Sequence, residues 1–219
     1  MKITRIENQK KRPGRKNIYA DDAFLIGVGA ETLLRFGLRT GDEITPEKLA
    51  LLARTEELLG AKNAALRYMS TRPRSEREVH DKLREKEYGE EEIGRIIEDL
   101  KRAGLLNDGE FARAFIRNAL VLRPTGGAVL KRKLLLLGVG KEVVEEALGD
   151  VLAGADLAGE AARAAAAFVR KARASGRKAD PVKLRQRLTA FLIRRGFTWD
   201  VVRTAVKNTL KGGDDDETG

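Results

Sequence analysis

One helical module is written three times along this chain of 219 residues. A proline opens each copy, at Pro73, Pro124 and Pro181, and ten residues later stands Leu83, Leu134 or Phe191. Fifteen or sixteen residues after each proline come Tyr88, Val139 and Phe197. Five and nine residues further on lie Ile93 and Ile97, Val144 and Leu148, Val202 and Val206. Self-similarity at a spacing of about 50 residues marks a repeat architecture, in which stacked units share a core and expose long surfaces. It points to binding rather than to one reaction centre.

Helix signals fill the spaces between these positions. Ser75-Glu76-Arg77-Glu78 has the capping-box pattern and opens a helix with Val79 and Leu83 on one face. Ile93, Ile97 and Leu100 are the stripe of the next helix, which Gly104 ends. Asn107-Asp108 caps a helix bearing Phe111, Phe115, Ile116 and Leu120, and Pro124 stops it. Gly126-Gly127 makes a bend before Leu130, Leu134 and Leu137; Gly138 is the next stop, and Val143, Val144, Ala147, Leu148 and Val151 follow. The third copy opens with the alanine-rich residues 160–174, of strong helix propensity. It restarts at Asp180-Pro181 with Leu184, Leu188, Phe191 and Leu192, stops at Gly196 and finishes with Val201, Val202, Ala205, Val206 and Leu210.

The opening segment reads differently. Lys2-Ile3-Thr4-Arg5-Ile6, Asn17-Ile18-Tyr19-Ala20 and Ala23-Phe24-Leu25-Ile26-Gly27-Val28 are short β-like runs around a basic loop, residues 10–16, and an Asp21-Asp22 turn. Residues 30–36 suit a short helix stopped by Gly37, and Thr45-Pro46-Glu47 supplies a cap and first-turn proline for a helix to about Leu59. The expected fold is therefore mainly α: three tandem three-helix repeats in an elongated array, preceded by a small β-containing N-terminal domain. The expected domains are residues 1–60 (basic hairpin and helix), 61–106, 107–153 and 154–211 (the repeats, the last strongly basic), and a disordered acidic tail, 212–219.

Charge is distributed unevenly. The net +10 arises from +6 in residues 1–20 and +12 in residues 161–211, against −4 in the last eight residues and −4 in the remainder. A single Lys or Arg is ordinarily solvated surface. Fourteen Lys and Arg against two acids in residues 161–211 favour a polyanion or an acidic protein partner. There is no cysteine, which excludes disulfides and thiolate metal sites and fits a reducing compartment. No run of about 18 apolar residues is present and the first 20 residues lack a secretion signal, so a cytoplasmic protein without a membrane partner is expected.

Signals for catalysis are weak. His80 is the only histidine, and with neither a second His nor a Cys it anchors no zinc site; it reads as structural. Gly27-Val28-Gly29 begins a dinucleotide fingerprint, but Thr32 occupies the third glycine position. Gly138-Val139-Gly140-Lys141-Glu142 resembles the end of a phosphate loop, yet Glu142 replaces its Ser/Thr and Leu135 its first glycine. Glu90-Glu91-Glu92 suits a helix start and Asp214-Asp215-Asp216 lies in the tail, neither being a metal cradle. No catalytic residue, cofactor or metal is expected.

Basic residues recur at comparable points of the modules. Arg72 and Arg74 flank Pro73, Arg123 precedes Pro124, and Lys131 and Arg132 follow the glycine pair. In the third copy Lys183, Arg185 and Arg187 alternate along the middle helix, with Arg194 and Arg195 near its end. Stacked in register, these ten would form a stripe for DNA or a protein partner; the bland alternative is solvated helix surface. Trp199 is expected to pack in the core beside Phe197, with stacking on a base as its other use.

Arg72-Pro73-Arg74-Ser75 with Leu83, Gly104-Leu105-Leu106-Asn107-Asp108 with Phe111-Ala112, and Arg194-Arg195-Gly196-Phe197 together resemble the RecX family of recombinase regulators. The resemblance covers about residues 62–210, and the basic N-terminus resembles the extra segment many members carry. It implies a non-enzymatic protein that binds the RecA recombinase filament on single-stranded DNA and restrains its ATP hydrolysis, strand exchange and growth, within homologous recombination, DNA repair and the SOS response. Single-stranded DNA would be met directly or through the filament, by a monomer. The chain has Asn107 where the family usually has Asp, and Gly126-Gly127 where Gly-Pro is common, implying a looser hinge. The alternative reading is an independent nucleic-acid-binding protein without a recombinase partner.

Overall fold

A β-meander starts the chain because three runs rich in β-branched and aromatic residues are joined by a loop, residues 9–14, and a tight two-residue turn. In the computed structural model, which describes residues 1–174 and 180–211, strands β1 (Ile3–Asn8), β2 (Arg15–Ala20) and β3 (Ala23–Gly29) form an antiparallel sheet in the order β1-β2-β3. Ile18 pairs with Ile6 on one side and Ile26 on the other. Asp21 and Asp22 both take positive φ, 49° and 63°, the conformation a two-residue hairpin turn demands. Ile3, Ile18 and Val28 bury their side chains with Leu38, Ile44 and Leu52 in the core of this region.

Ten helices follow among the described residues. A short α1 (Ala30–Arg35) leads to α2 (Pro46–Met69), whose Thr45 cap accepts from Lys48 N at 3.2 Å. That helix does not stop near Leu59: it continues through Gly60 for nine more residues, because the alanine-rich stretch beyond keeps high helix propensity and buries Ala61, Ala64 and Ala65. Next come α3 (Glu76–Glu85), α4 (Glu90–Arg102), α5 (Asp108–Leu122), α6 (Gly127–Leu136), α7 (Lys141–Leu152), α8 (Leu157–Ala174), α9 (Pro181–Arg194) and α10 (Trp199–Lys211). Three three-helix repeats thus follow a small antiparallel sheet. The disorder expected of residues 212–219 lies outside the described residues.

The capping box forms as expected: Glu78 N donates to Ser75 Oγ, and Ser75 N donates to Glu78 Oε2, both at 3.2 Å. Asn107 Oδ1 accepts from the N–H groups of Gly109 and Glu110, so it caps α5 as Asp would. Gly126 is no loose hinge. It is buried, its N–H donates to the Arg195 carbonyl at 2.8 Å, and its own carbonyl accepts from Leu130 N. His80 Nε2 lies 2.9 Å from Glu90 Oε2 and links α3 to the start of α4, a structural role.

The chain divides into two compact units, Met1–Arg72 with Val79–Ala103, and Pro73–Glu78 with Gly104–Gly219. In the second, Phe111, Ile116, Leu130, Leu134, Val144 and Ala147 belong to one core; Leu188, Leu192, Phe197, Val202 and Val206 belong to another, with Ala161, Ala164 and Ala165.

The third repeat departs from the register that its proline spacing predicts. Tyr88 N donates to Leu83 O at 3.3 Å, Val139 N to Leu134 O at 3.1 Å, and Phe197 N to Leu192 O at 3.4 Å. These are equivalent six-to-one closures of a helix end. Leu192, not Phe191, is therefore the counterpart of Leu83 and Leu134. Pro181 is the first residue of α9, whereas Pro73 and Pro124 precede their helices by three residues. Consequently α9 has 14 residues against 10 in α3 and α6, one added turn. Trp199 also departs from expectation. At the start of α10 it is 60% exposed, the core position having been taken by Phe197.

Candidate nucleic-acid interface

The first two turns of α9, beginning with the added one, carry three of the expected binding residues. Asp180 Oδ1 accepts from Val182 N at 2.9 Å and Pro181 fixes the first turn, so the helix starts early and Lys183, Arg185 and Arg187 project from its first two turns. All three are exposed. At about 100° per residue, Lys183, Arg187 and Arg194 fall within roughly 40° of one another, while Arg185 lies on the opposite side.

Arg187 and Arg195 then meet α8 across a groove of about 620 Å³. Its apolar floor is the pair Phe168 and Phe191, with ring centroids 4.8 Å apart and planes inclined by 33°. Pro124 closes one end. Arg195 is fixed in place: its Nη1 donates to the Pro124 carbonyl at 2.8 Å and its guanidinium carbon lies 4.9 Å from the Phe191 ring centre. From α8 come Arg163 and Lys171. Among the described residues no acidic side chain lines the groove. Arg163 has a partner in Glu160, whereas Lys171 and Arg187 make no ion pair with a described residue. Four cations around an aromatic floor suit a single strand, whose phosphates take the charge and whose bases offer faces for stacking.

The other expected residues have varied placements. Arg123 is exposed at the end of α5, next to Pro124. Arg132 is exposed on α6, but its neighbour Lys131 is ion-paired with Glu145. Arg74 pairs with Glu78 at 3.4 Å and its side chain is only 14% exposed, so its charge is matched internally. Arg72 is exposed in the α2–α3 connection and belongs to the other compact unit. Sequence reading missed Arg163, Lys171 and Phe168. The signal was present: Arg163, Ala167 and Lys171, like Arg187, Phe191 and Arg195, repeat a cation, apolar, cation pattern at intervals of four, which puts each trio on one helix face.

Among the described residues no group of three or more His, Cys, Asp or Glu could hold a metal, and no helix is long and apolar enough to cross a membrane.

Four family models match the chain in order. They are the regulatory protein RecX N-terminal domain over residues 1–45, and the first, second and third RecX three-helix domains over 61–100, 107–148 and 160–206. A regulatory protein RecX of Clostridium beijerinckii is 32% identical over 217 residues, covering 98% of this chain and 99% of the relative. One from Clostridium perfringens is 33% identical over 207 residues, covering 94% and 95%. Among solved structures, a crystal structure of regulatory protein RecX superposes with a TM-score of 0.72 at 26% identity, covering 94% of this chain and 98% of that one. RecX from Lactobacillus salivarius gives 0.63 at 25% identity over 71% of this chain and 97% of that one. With its sheet domain and all three helical repeats matched in sequence order and in fold, the chain belongs to the RecX family of regulatory proteins.

Proposed function

We propose that the protein binds the RecA recombinase and its filament on single-stranded DNA, as a cytoplasmic monomer, and lowers RecA's ATP hydrolysis, strand exchange and filament growth without chemistry of its own. The observation that carries this reading is the full-length membership of a regulatory family whose resemblance implied a recombinase partner. The groove between α8 and α9 supports it, since four cations lining a concave surface with no acid among the described residues fit the phosphates of the strand inside a filament or an acidic recombinase face.

The test is a titration of the protein into RecA hydrolysing ATP on single-stranded DNA. Slowing at substoichiometric or equimolar protein is expected, and no effect at low salt would overturn the proposal. The aromatic floor of the groove also favours a second reading, direct strand binding without a recombinase. That reading requires tight binding of an oligonucleotide alone, falling steeply with salt, together with unchanged RecA turnover.

A further inference from the structure

The unit built on the N-terminal sheet has its own cavity, of about 890 Å³. Its walls come from the β1–β2 loop, the start of α1, α2 and the turn after α3. A lone anion needs far less room; the volume falls in the range of small-molecule sites, on the order of 300–1,000 Å³.

Glu56 preorganises the walls. Its side chain, 9% exposed, accepts the Gly29 N–H at 2.8 Å and pairs with Arg15 Nη2 at 3.1 Å. Arg15 donates again to the Gly27 carbonyl, and the Ala30 N–H donates to the Gly14 carbonyl, so the loop is tied to the start of α1. Glu56 and Arg15 offset one another. That leaves Lys11, Arg12, Arg67 and Lys86 around the cavity against Glu31 alone. None of these four cations has an ion-pair partner among the described residues. Gathering like charges from three separate elements is unfavourable in an empty site and becomes favourable once an anion enters.

Thr32 gives an independent sign. It is fully buried and lines the same cavity, and its Oγ1 is the one buried side-chain polar atom among the described residues without a hydrogen-bond partner. Folded domains rarely retain such an orphan without a use for it.

We propose that this cavity binds a phosphate ester, with Lys11, Arg12, Arg67 and Lys86 neutralising the phosphates and the Thr32 hydroxyl supplying a directed hydrogen bond. The phosphates come either from a free nucleoside triphosphate or from a nucleic-acid strand, since the same chemistry recognises both. The site is independent of the α8–α9 groove and of any recombinase partner.

The test uses the full-length, isotopically labelled protein without RecA, titrated at low salt with ATP and, separately, with an oligothymidylate. Amide resonances of Gly14, Gly29 and Thr32 are expected to shift saturably. A response to ATP identifies a free nucleotide as the source, and a response to the oligonucleotide alone identifies a strand. Arg67→Glu should weaken this binding at least tenfold with an unchanged melting midpoint. Thr32→Val should weaken it several-fold yet raise the midpoint, because an apolar group of the same shape removes the unsatisfied hydroxyl. Silence of all three resonances with both ligands, or affinities untouched by Arg67→Glu and Lys86→Glu, would overturn the proposal while leaving the recombinase reading intact.

Discussion

The N–H of Gly126 donates to the carbonyl of Arg195 at 2.8 Å, seating the start of α6 on the turn that ends α9. Ala128 N reaches the Gly196 carbonyl at 3.3 Å in the same contact. The relationship recurs one repeat earlier. Ser75, at the start of α3, donates from Oγ to the Leu137 carbonyl at 2.6 Å, and a side chain on Gly138 would run into Cβ and Cδ of Arg77. Residues 75–77 and the start of α6 thus each meet the glycine turn that ends a later middle helix, α6 and α9 respectively. Gly138 and Gly196 have φ of 84° and 85°; in the first repeat, which no earlier repeat precedes, Glu87 holds the same place with φ of 64°.

Two demands meet at Gly196, a left-handed backbone and a close neighbour. A Cβ there would lie 2.5 Å from Val129 N and 2.9 Å from its Cγ2. Gly196→Ala should cost the left-handed penalty of about 1–2 kcal/mol together with overpacking of about 1–3 kcal/mol. Gly104, with φ of 68° and open space around it, should show only the first of these on change to Ala. Urea unfolding of the two variants measures the difference; equal losses would mean that the close approach has no energetic weight.

Glu87 has the backbone conformation of those glycines without being one. Changing it to Gly relieves about 1–2 kcal/mol and adds unfolded-chain entropy of about 0.5–1 kcal/mol. Glu87→Gly should therefore stabilise the protein by roughly 0.5–1 kcal/mol, and Glu87→Ala should not. A higher urea midpoint for the first variant alone is the expected result.

Ser75 serves two partners, the Glu78 N–H and the Leu137 carbonyl. Ser75→Ala should lose about 1 kcal/mol as a cap and about 1–2 kcal/mol through the orphaned carbonyl. Ser75→Asp is the sharper variant. It retains a cap acceptor but has no proton for Leu137, so a melting midpoint close to the parent's would show that the second hydrogen bond matters little.

Most helix boundaries were legible because proline, glycine and capping residues act locally, as the Asn107 cap and the Ser75–Glu78 box illustrate. Register in the third repeat was not, because Pro181 sits inside its helix and drew the alignment to Phe191, one residue before Leu192. The end of α2 was misplaced at Gly60, where a weak helix breaker was outvoted by buried alanines. Lys183 and Arg187 were visible in the sequence as basic residues, but which cations share a groove depends on two helices meeting. Phe168 of α8 and Phe191 of α9 acquire their joint role only through that packing. Arg74 and Lys131 show the converse, since their carboxylate partners Glu78 and Glu145 are chosen by tertiary and local geometry that composition does not reveal.

The groove itself makes a quantitative demand on salt dependence. If Lys171 and Arg187 each neutralise one phosphate of a single strand, each contributes about 0.7 to the slope of log affinity against log salt concentration. The double variant Lys171→Glu/Arg187→Glu should therefore flatten that slope by about 1.4 and weaken low-salt oligonucleotide binding by well over tenfold. Arg185, exposed on the far side of α9, is the internal control. Arg185→Glu changes the overall charge as much as either single reversal, yet at physiological salt, where screening acts over about 8 Å, it should alter affinity by less than about threefold. Anisotropy titrations of a labelled oligothymidylate across a salt series separate the two cases. Equal effects from Arg185→Glu and Arg187→Glu would mean that the strand senses net charge alone and that the groove does not direct it.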